Sequence, residues 1–302
     1  MNDFGHAEGV LLAHAMVDRV AEDVGVRVIF IKGPGAVAQG LRPVRTSLDA
    51  DVLVDPGQRP VLARRLSELG WIDEHPYTSP TILPPHSWEY RNPRWPCELD
   101  VHDRFPGFFA EPQSVFERLW ERRTQVTLAA RPIPVPTAED HALLLALNCL
   151  RDPHQPAKVR ELEFLVSWTR AEVGADKLVD IAQRAAELGA ADTAAPYLDA
   201  VQAPEIARGT WSDAQRHDWL LVTQPVDSTA VSWLEELRRL PARSWPRYLW
   251  YAVWLSDVEL RLAEPSLPPG RRALMRARVR RLRRGVRALP AAFRNVRSFS
   301  RD

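Results

Sequence analysis

Ser47-Leu48-Asp49-Ala50-Asp51-Val52-Leu53-Val54 is the stretch on which the fold turns. Its aliphatic run, stopped by Asp55-Pro56-Gly57, predicts a buried β-strand over 49–54. Successive side chains of a strand face opposite ways. Asp49 and Asp51 therefore project side by side, with Ala50 and Val52 turned away. Two carboxylates on one strand face repel each other and stabilise nothing unless a cation joins them. A hard, oxygen-seeking ion such as Mg2+ removes that repulsion. Acids at a solvent-exposed strand end are the plainer explanation. Against it, these two run directly into Val52-Leu53-Val54.

Immediately upstream, Val26 to Ile31 predicts another strand. It ends in the turn Lys32-Gly33-Pro34-Gly35, which leads into a short helical segment from Ala36 to Leu41. Glycines let backbone approach a phosphate, a helix start favours an anion, and proline is tolerated at the first helical position. The turn is not a Walker loop, because no Gly-Lys-Ser/Thr closes it. Downstream, Cys97-Glu98-Leu99-Asp100-Val101-His102 predicts a strand with Glu98, Asp100 and His102 on one face and Leu99 and Val101 on the other. A strand with one wet side would look the same.

Further out, three-and-four periodicity predicts helices over Ala7 to Val24 and Pro60 to Leu69, the latter closed by Gly70, and over Pro112 to Arg122. His86 to Arg91 and Cys97 to Asp103 form a hairpin around Asn92-Pro93, and Gln125 to Ala129 is another strand. At Thr137 the character changes. Thr137 is placed to cap a helix whose third position is Asp140. From there helices are predicted over 138–151, 157–171, 175–188, 190–201, 228–240, 245–263 and 270–288, broken by prolines and glycines. The expected class is α+β: residues 1–135 an α/β domain with a mixed sheet, and residues 136–302 an α-helical domain ending in an Arg-rich helix.

Composition bounds the rest. The chain has 302 residues, 45% hydrophobic and 26% charged, as in soluble globular proteins. It has no apolar run of about 18 residues, so no membrane span is expected. The first fifteen residues have no basic region before the apolar stretch, so no signal peptide is expected. Cys97 and Cys149 are distant in sequence and suit buried thiols in a reducing cytoplasm. His75 and His86 have no metal-ligand spacing, and Trp245, Trp250 and Trp254 read as helix core. The basic residues are almost all Arg; only Lys32, Lys158 and Lys177 are Lys. From Arg271 to Asp302 there are 12 Arg and one acid, whereas residues 1–270 hold 38 acids against 28 basic residues. A basic tail on an acidic body admits RNA as a partner. A C-terminal helix lying across that body is the preferred explanation.

Taken in order, Ile31-Lys32-Gly33, Arg45-Thr46-Ser47-Leu48-Asp49-Ala50-Asp51 and Glu98-Leu99-Asp100-Val101-His102, with the Trp-bearing strand at His86-Ser87-Trp88, resemble the uncharacterised bacterial nucleotidyltransferase family of the polymerase-β-like superfamily. The resemblance covers about residues 7 to 165. It implies a nucleotidyltransferase that moves an NMP from an NTP, such as ATP, to a hydroxyl of a small molecule, a peptide or protein, or RNA. It implies Asp49, Asp51 and Asp100 as catalytic and metal-binding carboxylates for Mg2+ or Mn2+. Lys32, Gly33, Gly35, Arg45 and Ser47 would bind nucleotide, and His102 would orient Asp100 or touch the acceptor. Better-known members have Gly-Ser or Gly-Gly in the loop, whereas Gly33-Pro34 here lacks one backbone N–H. His154, Arg160 and Glu161 fall where members carry His, Arg and Asp. The alternative to an enzyme is a non-catalytic nucleotide- or partner-binding module on the same fold.

Overall fold

Strand pairing brings the two acidic stretches side by side. In the computed structural model, which describes residues 5–73, 86–223, 237, 241–246, 257, 260, 268, 270–280 and 282–283, β2 (Asp49–Val54) pairs in parallel with β5 (Glu98–His102). The register sets Asp51 opposite Asp100 and Leu53 opposite His102. β1 (Val28–Phe30) flanks β2 antiparallel, and β4 (Ser87–Arg91) and then β3 (Ile72–Asp73) complete a five-stranded mixed sheet of order β1-β2-β5-β4-β3. The predicted strand 49–54 is found with those bounds, and the hairpin before Asp103 is β4–β5.

Alternation divides the sheet between two cores. Ala50, Val52, Val54, Leu99 and Val101 pack with α1 (His6–Asp23) and α3 (Arg59–Glu68). On the opposite face, Ile29, Ile31 and Leu53 join a core with α4 (Pro112–Arg122), α5 (Ala138–Leu150) and α7 (Ala175–Glu187). The acids share this second face with Leu53. Every residue from Asp140 to Cys149 is buried, so α5 is apolar nearly all round, as a helix enclosed by neighbours must be. Its start is capped as predicted: the Thr137 side chain accepts from Asp140 N–H.

β6 (Thr124–Leu128) and β7 (Arg131–Val135) form a separate two-stranded sheet. β7 was not predicted, because Pro132 and Pro134 demote the run; both are tolerated in so short a sheet. Its turn is Ala129-Ala130, each with positive φ, where glycine or asparagine would have signalled a hairpin. The Lys32 turn enters a six-residue helix, α2 (Gly33–Ala38), earlier than the predicted Ala36 start. Beyond α5 follow α6 (Pro156–Glu172), α7, α8 (Ala195–Ala200) and α9 (Asp213–Thr223). α9 was also missed, although Ser212 and Gln215 bond each other's backbone N–H in a capping box.

The chain divides into two compact units. The first contains the described residues 5–73 and 86–223, and one of its cores joins β1 and β2 to α5 across residue 135. In the second, residues 271–280 are helical, Leu260, Leu274 and Ala277 cluster, and Arg278 pairs with Asp257 at 2.6 Å. Trp245 is half-exposed, not in a helix core. Most of the predicted helices 228–240 and 245–263, the end of 270–288, and His75, Trp250 and Trp254 lie outside the described residues.

Candidate metal and nucleotide site

Asp51 is anchored by β2 and almost wholly buried. Its Oδ1 accepts from the Lys32 ammonium at 2.5 Å and lies 3.2 Å from His102 Nε2. The same Nε2 is 2.9 Å from Asp100 Oδ2. A bare imidazole nitrogen would turn its lone pair on two carboxylates, so Nε2 must carry the proton and donate between them. One oxygen or nitrogen each from Asp51, Asp100 and His102 gathers within 4.8 Å, the spacing of a metal-binding group. Asp49 is not part of that cluster. It lies two residues earlier on the same face, close enough to feel Asp51 and Asp100.

The electrostatics follow from that crowding. Burial, then the Asp51 charge, pushes the Asp49 carboxyl up to about 6, against the pull of Lys32. Burial acts the same way on Asp51, but Lys32 and His102 outweigh it and hold that carboxyl well below the usual range. Asp100 is also held low, with His102 overcoming burial. Asp100 Oδ1 is buried without a hydrogen-bond partner. Leaving such an oxygen unpaired costs about 1–3 kcal/mol, which a cation would offset. Three carboxylates beside one ammonium leave an excess of two negative charges when all are ionised, so the donor set fits a divalent ion.

Lys32 is held by strain and by a distant helix. Its φ of 59° and ψ of −151° lie in a region almost reserved for glycine. Such a residue costs about 1–3 kcal/mol and persists only where its surroundings enforce it. Here the Lys32 N–H donates to His141 Nε2 at 2.8 Å, and His141 Nδ1–H donates to Gln39 Oε1 at 2.6 Å. Burial takes the His141 pKa down to about 3, keeping the ring neutral and able to accept. His141 was absent from the predicted site. A histidine heading the apolar run Ala142 to Leu147 was the available signal.

The remaining predicted residues divide. Gly33 has φ 46°, and a Cβ there would meet Ser47 Oγ at 3.3 Å and His14 Nε2 at 3.8 Å. Both of those polar atoms are buried without partners. Gly33, Ser47 and the unpredicted His14 thus meet at the loop. Gly35 packs tightly on Val135, where a Cβ would approach Cγ1 to 3.1 Å. Arg45 turns to Glu161 at 3.5 Å, and Arg42 pairs with the same carboxylate at 2.7 Å. A cavity of about 310 Å³ is lined by Arg42, Pro43, Arg45, Ala157, Arg160 and Glu161. His154 has no part in that lining. Cys97 and Cys149 are buried free thiols.

No helix among the described residues is long and apolar enough to cross a membrane. A family described as uncharacterised nucleotidyltransferases matches residues 7–203. No curated protein sequence matches. Among solved structures, the antibiotic-resistance factor ANT(2'')-Ia is similar at 15% identity and TM-score 0.40, over 59% of this chain and 90% of its own. The lincomycin-bound lincosamide adenylyltransferase LnuA aligns at 17% identity and TM-score 0.35, over 52% of this chain and 95% of its own. A nucleotidyltransferase-like protein from Paracoccidioides brasiliensis aligns at 11% identity and TM-score 0.39, over 68% and 98%.

Proposed function

The chain belongs to the uncharacterised nucleotidyltransferase family, and from that premise we propose that it moves an NMP from an NTP to a hydroxyl acceptor with the help of Mg2+ or Mn2+. The observation that carries this reading is the pair of the buried Asp51 and the part-buried Asp100, set opposite each other on parallel strands and joined by His102. Asp51 and Asp100 would hold the ion, with Asp49 completing the negative face. A divalent ion bound there would supply charge to activate an acceptor hydroxyl and to neutralise the triphosphate and its leaving group.

The chain's own groups supply position and charge. His102 fixes the two carboxylates relative to each other through one shared N–H. The Lys32 ammonium neutralises Asp51 and, with nucleotide present, stands ready for phosphate oxygens. His141 keeps the Lys32 backbone in its strained conformation, so the ammonium needs no reordering when substrate arrives. Gly33 and the Ser47 hydroxyl leave room and a donor beside it.

Calorimetric titration of Mn2+ with each NTP into the wild type and into Asp51→Asn/Asp100→Asn tests the proposal. Metal-dependent NTP binding that the double variant loses supports it. Binding of equal strength in EDTA would remove the metal from the mechanism, and a folded wild type that binds no NTP would sink the reading.

A further inference from the structure

We propose that Arg151 and Lys158, with Lys32, form a binding site for the polyphosphate chain of the nucleotide, an inference that rests on the nucleotidyl-transfer reading. Arg151 follows the last residue of α5, and its hydrogen-bond partners are neutral. Nη1 donates to His86 Nε2 at 3.2 Å, Nη2 donates to Asn148 Oδ1 at 3.5 Å, and the guanidinium lies 5.9 Å from the Phe105 ring centre. Burial takes the His86 pKa down to about 3, with Arg151 adding to it, so the ring is neutral and accepts from Arg151. Lys158 lies in the first turn of α6, where the helix dipole disfavours a cation. Among the described residues neither Arg151 nor Lys158 has an ion-pair partner.

That is unusual for this unit. Arg27, Arg42, Arg122, Arg131 and Arg184, all at least partly buried, each hold a carboxylate. A part-buried cation left without an ion pair is costly unless something charged joins it. Arg151 feels Asp152, Asp100 and Asp51 without an ion pair to any of them, and Lys158 feels Cys149 and Glu161 as well as Lys32 and Arg151, again without an ion pair. Arg151 thus feels the sheet acids without an ion pair to them, and it shares the Phe105 ring with Lys32, which lies 5.6 Å from the ring centre. A metal-bearing polyanion satisfies both: its cation meets the carboxylates, and its oxygens meet the three basic groups. The basic groups come from a loop, the end of α5 and the start of α6. A chain of phosphates can reach all three, whereas a single phosphoryl group offers fewer contacts. Two of the protein's three lysines lie here.

The test is calorimetric binding of tripolyphosphate, NTP and NMP, with Mg2+ at fixed ionic strength. It compares the wild type with Arg151→Gln, Lys158→Gln, the charge-preserving Arg151→Lys, and Lys177→Gln as a surface control. Tripolyphosphate and NTP affinity should fall about 10-fold or more in each of the first two, a loss of about 1.4 kcal/mol. NMP affinity should move less than about 2-fold, Arg151→Lys should recover part of the loss, and Lys177→Gln should bind as the wild type does. The Gln variants should melt no lower than the wild type, since an uncompensated cation has gone. An equal loss for NMP overturns the assignment to the polyphosphate chain. NTP bound alike by the wild type and both Gln variants overturns the site while leaving nucleotidyl transfer standing. Tripolyphosphate lost in both variants, with a wild type that does not prefer NTP to it, keeps the site and removes the nucleotide reading.

Discussion

Two acids turned inward, forty residues apart, are treated in opposite ways. Asp140 is wholly enclosed, and its oxygens accept from Arg122 at 3.0 and 3.1 Å, from Arg184 at 3.1 Å and from the Thr137 hydroxyl at 3.1 Å. Asp100 is partly buried, its Oδ2 meets His102, its Oδ1 has no partner, and the Asp51 charge lies close by. The first arrangement is saturated; a ligand could add nothing to it. The second is short of positive charge, while nearby Arg151 has no ion-pair partner among the described residues and feels Asp100. A structural ion cluster closes its own accounts, whereas a working site leaves groups unpaired for what it binds.

The contrast can be broken first at Asp140. Asp140→Ala leaves Arg122 and Arg184 without their buried partner and should destabilise the protein by about 3–5 kcal/mol. Urea unfolding measures it, and a loss under about 1 kcal/mol would show the cluster to be dispensable. Asp100→Asn should do the reverse. Metal-dependent nucleotide binding should weaken about 100-fold, with stability unchanged or raised because like charges have been thinned. A variant that unfolds but still binds would place Asp100 with the structural acids.

A smaller effect concerns His141. Its folded pKa is depressed, so the unfolded chain takes up a proton that the folded chain refuses. Its contribution is complete above the ordinary 6.5 and is lost as pH falls from there toward 3. His141→Gln, which keeps an acceptor for the Lys32 N–H, should flatten the acid decline of stability by up to about 1.4 kcal/mol per pH unit. An unchanged slope would mean that the ring is not the group that titrates. The smallest expected signal is from Cys149, whose thiol burial pushes up to about 12. It should resist alkylation at pH 8 until denaturant is added, and ready labelling in the folded protein would contradict its burial.

Much of the sheet was readable because alternation is a local property. The Asp49–Val54 strand, its acid face and the hairpin before Asp103 follow from a period of two. Helices with clear caps and an apolar stripe were equally plain, as at Pro112–Arg122. β7 and α9 were hidden for local reasons as well: prolines and an Ala-Ala turn disguised one, and weak periodicity the other.

The candidate site shows the limit more sharply. Sequence alone determined that Asp49, Asp51, Asp100 and His102 point from strand faces, because side-chain direction in a strand needs only neighbouring residues. It also marked Lys32 as the end of a strand. Only the tertiary structure decided that β2 and β5 are neighbours in register, that His102 bridges two acids, that His141 grips a strained Lys32, and that Arg45 turns to Glu161 while Arg151 feels the acids without an ion pair. Contacts of this kind join residues as far as 119 positions apart, as Arg42, beside Arg45 on the same carboxylate, is from Glu161. Pairing over such separations depends on which faces bury together and which charges find partners. No local pattern encodes that; it is settled when the chain packs.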